Sequence, residues 1–67
     1  MSKHIDADAY SVYDYRTGER LEGSPTEELV RESLSSDQGA AKASYDRDDA
    51  LWSLDTESDR VVYVMED

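Results

Sequence analysis

The chain has no cysteine, so it has neither a disulfide framework nor a thiolate metal site. Its one histidine, His4, has no partner at zinc-ligand spacing and reads as an exposed side chain. No Ser/His/Asp or Cys/His set occurs, and no glycine-rich phosphate loop, so nothing supports nucleophilic catalysis or nucleotide binding. Positive charge is scarce: 7 Lys+Arg stand against 17 Asp+Glu, a formal net charge of −10 on 67 residues. Such an excess repels nucleic acid and anionic lipid, whereas it speeds encounter with basic protein surfaces. No apolar run approaches the roughly 20 residues of a membrane span. The start MSKHIDADAY lacks the apolar stretch of a signal peptide, which leads to the expectation of a soluble, cytoplasmic protein.

What is present argues for a folded core. Five Tyr, one Trp and the cluster RVVYVM are foreign to a disordered, solvating chain, and the length allows one small domain. The expected layout is a flexible N-terminus over residues 1–9 and a single domain over 10–67. In YSVYDYR the alternation predicts a strand with Tyr13 and Tyr15 on one face and Tyr10 and Val12 on the other. RTGER supplies a turn at Gly18, which makes YDYRTGERL a hairpin returning through Leu21.

GSPTEELVRESL predicts a helix with Ser24 as N-cap, Pro25 in the first helical position and Glu27 completing a capping box. Leu29, Val30 and Leu34, with Ser33 beside them, form its narrow apolar stripe, and Gly39 is placed to close it in a left-handed conformation. AAKASY, ALWSL and RVVYVM then read as three strands of an antiparallel meander. RDDALWSL is also compatible with a short second helix capped by Asp48. The fold class expected is α+β, one short helix on a small antiparallel sheet in the order β-(β)-α-β-β-β.

The acidic residues are the candidate site. DTESDRVVYVME places Asp55, Glu57, Asp59 and Glu66 in an EF-hand-like register, but Arg60 stands where the loop needs glycine and VVYV is strand-forming. A solvated hairpin turn is the better reading, and no metal or cofactor is expected. On the helix, Glu28 and Glu32 share one face with Glu27 beside them, an arrangement that costs a few tenths of a kcal/mol in repulsion. Asp46, Asp48 and Asp49 form one turn cluster, and Asp55, Glu57 and Asp59 another. Alternate carboxylates on an extended chain lie about 6.6 Å apart, comparable with neighbouring phosphates of a nucleic-acid strand. The two turns flank ALWSL and should emerge at opposite ends of the sheet, so a continuous acidic stripe needs the helix or an edge to bridge them.

With TEELVRES, SYDRDD and DTESD as its acidic elements, the chain resembles the small, cysteine-free anti-CRISPR proteins of phages and mobile elements, the DNA mimics that act on type I surveillance complexes. The resemblance lies in size, charge and layout over the whole chain. It implies a monomeric, non-enzymatic inhibitor, working in the bacterial host cell, that occupies the basic DNA-guiding surface of the effector's large subunit. Glu27, Glu28, Glu32, Asp46, Asp48, Asp49, Asp55, Glu57 and Asp59 would make the contact, with Arg31 and Arg47 in secondary roles. No direct binding of nucleic acid or membrane is implied. Two other readings share the charge argument: a small acidic accessory protein of a halophilic or high-GC organism, and an antitoxin-like regulator of a basic partner.

Overall fold

The computed structural model describes residues 5–67, so the reading of His4 falls outside the described residues. The domain is α+β, with one helix packed on a curled, mostly antiparallel sheet. Its elements are a 3-10 turn at Ala7–Ala9, β1 (Tyr10–Asp14), β2 (Arg20–Leu21), β3 (Ser24–Pro25), α1 (Glu27–Ser35), β4 (Ala41–Asp46), β5 (Leu51–Leu54) and β6 (Val61–Glu66). The sheet runs in the order β2-β1-β6-β4-β5-β3. Within the stretch assigned to the N-terminal tail, Ile5 and Ala7 pack against the core, and Asp6 caps the 3-10 turn by accepting from the Asp8 N–H.

The expected alternation in β1 is present. Val12 is fully buried and pairs with Val64, whereas Tyr13 lies opposite Tyr63 on the other face. The hairpin from β1 to β2 also forms. Asp14 Oδ1 accepts the N–H groups of Arg16 and Thr17, and Gly18, at φ +75°, donates to the Asp14 carbonyl.

Three expectations around the helix are corrected. Ser24 is not the N-cap and Pro25 is not the first helical residue, because both are drawn into β3, which pairs in parallel with Leu51 and Trp52 of β5. The N–H groups of Ser24 and Thr26 donate to the carbonyls of Ala50 and Trp52. Pro25 lies between those two donors, where its missing N–H faces away from the ladder, as an edge strand permits. The cap is Thr26, whose Oγ1 accepts from the Leu29 N–H at 3.2 Å, so no Ser24–Glu27 capping box forms. Replacing Thr26 by alanine is expected to lower stability by about 1 kcal/mol, read as a shift of the urea midpoint with an unchanged slope.

The buried face of α1 consists of Leu29, Val30 and Ser33, while Leu34 is 54% exposed. Ser33 takes the place expected of Leu34 because a small side chain lets the helix sit close to the sheet, and its hydroxyl donates to the Gly39 carbonyl at 2.9 Å. The helix ends with Ser36 as C-cap. Gly39 does adopt φ +72°, but in the turn that follows and not at the helix end itself.

ALWSL is a strand and not a helix, and RVVYVM is a strand as expected, yet the three do not form a meander. β4 lies between β5 and β6 and is antiparallel to both, which makes β5 and β6 parallel to each other. Residues 55–60 therefore cross from one side of β4 to the other. So short a crossover is possible because β5 pairs with residues 43–46 of β4 and β6 with residues 41–42. What draws β6 across is β1, with which it shares a five-residue ladder from Tyr10↔Glu66 to Asp14↔Val62.

The two outermost strands, β2 and β3, are joined by Glu22 and Gly23 alone, so the ends of the sheet must come together. This curl encloses the core of Val12, Leu29, Val30, Ala41, Ala43, Trp52, Val62 and Val64.

Candidate protein-binding surface

Sequence alone leaves open which carboxylates are free to meet a partner. In the turn after β4, Asp46 Oδ1 accepts the N–H groups of Asp48 at 2.9 Å and Asp49 at 3.3 Å, so Asp46 holds the turn together. After β5, Asp55 Oδ1 accepts the Glu57 N–H at 3.0 Å and does the same. Aspartate suits both positions because its short side chain reaches backbone N–H groups two residues on. Glu27 is held by Arg31, whose Nη2 lies 2.8 Å from Oε1 one helical turn away.

The other six candidates, Glu28, Glu32, Asp48, Asp49, Glu57 and Asp59, are exposed. Among the described residues none of their side chains enters an ion pair. Asp46, Asp55 and Glu27 thus shape the surface, and the six exposed carboxylates populate it. Sequence reasoning put all nine in one class because it does not distinguish a carboxylate bonded to its own turn from one facing water.

The turns at residues 46–50 and 55–60 flank β5, as expected. The edge of β5 between them is occupied by β3. Its backbone runs parallel to β5, first beside Ala50 and then beside Trp52, and leads directly into the first turn of α1. β3 itself carries no carboxylate; it leads into α1, whose first turn holds Glu27 and Glu28.

Basic side chains are engaged close by. The Arg60 guanidinium lies 5.3 Å from the centre of the Trp52 ring and 3.6 Å from Asp14 Oδ2. A cleft of about 270 Å³ is lined by Asp14, Arg16, Asp59, Arg60 and Val61, two acids against two arginines, and so favours neither anion nor cation. Among the described residues no group of three or more His, Asp or Glu is placed to hold a metal ion. Glu66, the last position of the EF-hand-like register, is instead paired with Tyr10 in the sheet. No helix among the described residues is long and apolar enough to cross a membrane.

No protein-family model, curated protein or solved structure matches this chain.

Proposed function

We propose that the protein is a non-enzymatic inhibitor that presents its carboxylates to a basic, nucleic-acid-binding site of a partner protein and keeps nucleic acid out. The observation that carries this reading is the division of labour among the carboxylates. Asp46 and Asp55 brace two turns by accepting backbone N–H groups, and those turns hold Asp48, Asp49, Glu57 and Asp59 out to solvent. Carboxylates held in a fixed arrangement lose less conformational entropy on meeting a row of Lys and Arg. A site made to bind phosphates would also release its own counterions to such a surface. The resemblance to anti-CRISPR proteins names the partner within this proposal: the large subunit of a type I surveillance complex in a bacterial host cell.

The test is a DNA-binding assay with a purified type I surveillance complex at low and at moderate salt. Stoichiometric blocking that weakens as salt rises is expected. Reversing Asp48 and Asp49 to lysine, or Glu57 and Asp59, is expected to weaken blocking by about tenfold or more, with an unchanged far-UV circular dichroism spectrum. Substituting Asp46 instead is expected to disturb the turn itself. A folded protein that leaves DNA binding untouched at every salt would remove the CRISPR partner. If the acidity instead served solvation in a halophile, the domain would unfold when salt is withdrawn.

A further inference from the structure

The inner face of the sheet is not covered to its end. The alternation that turns Val12 and Val64 into the core puts Tyr10 and Glu66, paired at the last rung of the β1–β6 ladder, on that same face. Tyr10 is half-buried and packs against the core, whereas Glu66 is exposed. A groove of about 570 Å³ opens at this rung. The ladder contributes Tyr10 and Glu66 to it, and the segment before β1 contributes Ile5, Asp6 and Ala9. From α1 come Arg31 and the exposed Leu34, three residues apart on one flank of the helix. Because Ile5 and Tyr10 also pack against the core, an apolar side chain lodged in the groove would extend that core outward.

The charge of the groove is one-sided. Asp6 and Glu66 bring two carboxylates, and among the described residues neither enters an ion pair. The one cation, Arg31, is already held by Glu27 at 2.8 Å. From this combination we infer that the groove is a docking site for a segment of a partner protein in which an apolar side chain is flanked by Lys or Arg. Ile5, Tyr10 and Leu34 receive the apolar side chain, whose burial supplies the affinity. Asp6 and Glu66 receive the flanking cations and turn away acidic segments. A second copy of this chain, at net charge −10, is repelled. The inference rests on the groove alone and stands whether or not the turns at residues 46–50 and 55–60 meet a nucleic-acid-binding site.

Titration of the isotope-labelled full chain with the peptide acetyl-Lys-Lys-Leu-Lys-Lys-amide, followed by amide NMR at low salt, tests it. The shifts are expected to centre on Ala9, Tyr10, Arg31, Leu34 and Glu66. The affinity is expected to exceed that of acetyl-Lys-Lys-Ser-Lys-Lys-amide by about tenfold or more. Acetyl-Glu-Glu-Leu-Glu-Glu-amide is expected to shift none of these positions. Leu34→Ser alters an exposed side chain and is expected to bring the leucine peptide down to the affinity of the serine peptide, with an unchanged far-UV spectrum. Glu66→Gln is expected to weaken both basic peptides by about twofold to fivefold. Equal affinity of the leucine and serine peptides for the unaltered chain would overturn the inference, since charge alone would then hold both. So would shifts confined to the two acidic turns, or no shift at the groove, the result expected if residues 1–4 of the chain or a second copy fill it.

Discussion

Trp52→Ala is expected to unfold the domain, or nearly so. Truncating a buried aromatic costs about 3–5 kcal/mol, against a total stability of roughly 3–10 kcal/mol for a domain of this length. Trp52 is 4% exposed and sits where the curled sheet closes. Its ring packs on Tyr45 at a centroid distance of 5.1 Å and lies under the Arg60 guanidinium, and its Nε1–H donates to the Glu22 carbonyl at 2.8 Å. That last bond fastens the two-residue link between the edge strands to the middle of β5. Trp52→Phe separates the contributions: it keeps a ring but leaves the Glu22 carbonyl without its donor, for an expected loss of about 1–3 kcal/mol. Urea denaturation followed by circular dichroism reads both variants. A Trp52→Ala protein with a near-wild-type midpoint would show that the closure does not depend on the indole.

The second large effect is expected at Gly23, in the same corner. Its φ of +104° is one that side-chain-bearing residues rarely adopt, and a Cβ there would lie 2.6 Å from Tyr45 Cε1, 3.1 Å from the Ala50 carbonyl oxygen and 3.3 Å from Trp52 Cδ1. The Tyr45 ring, 39% exposed, is able to swing aside. The Ala50 carbonyl is not, because it accepts the Ser24 N–H that starts the β3–β5 pairing. Gly23→Ala is therefore expected to cost about 2–5 kcal/mol, combining backbone strain with overpacking. Combined with Tyr45→Ala, which removes the ring from the new methyl group, the loss should be smaller than the sum of the two single losses. Strict additivity would mean that strain at φ, and not the contact with the ring, carries the whole effect.

These two positions show where sequence reasoning reaches and where it stops. The burial of Trp52 in a strand between two acidic turns is legible in ALWSL and its flanks, because a short apolar run bounded by turn residues is a local pattern. The role of Gly23 is not legible. Its neighbours Tyr45, Ala50 and Trp52 are more than twenty residues away in the chain, and nothing in LEGSP announces them. The same distinction explains the helix start. Ser24, Pro25 and Glu27 satisfy every local rule for a capping box, yet the backbone N–H groups of Ser24 and Thr26 find partners on β5, and the cap moves on to Thr26. Two hydrogen bonds to another strand outweigh a preference of about 1 kcal/mol.

The candidate surface divides in the same way. That acidic residues gather in the two turns and on the helix follows from the sequence. Which of them are engaged was decided by geometry: Asp46 and Asp55 fold back on their own turns and Glu27 pairs with Arg31. The tyrosine cluster on the outer side of the sheet was half visible, since the alternation in YSVYDYR puts Tyr13 and Tyr15 together. Its completion by Tyr63 required β6 to lie beside β1, not beside β5.

By itself the sequence determined the class of fold, the strands and the helix within a few residues, the hairpin at Gly18, and a net charge of −10 with no metal-binding cysteine. Each of these depends on the order of neighbouring residues or on composition. Only the tertiary structure decided the strand order, the crossover at residues 55–60, the use of Ser24 and Pro25 as an edge strand, and the burial of Ser33 in place of Leu34. Those outcomes are set by competition among distant partners for the same backbone donors and the same small core. Residues far apart in the chain settle that competition together, so no local window contains it.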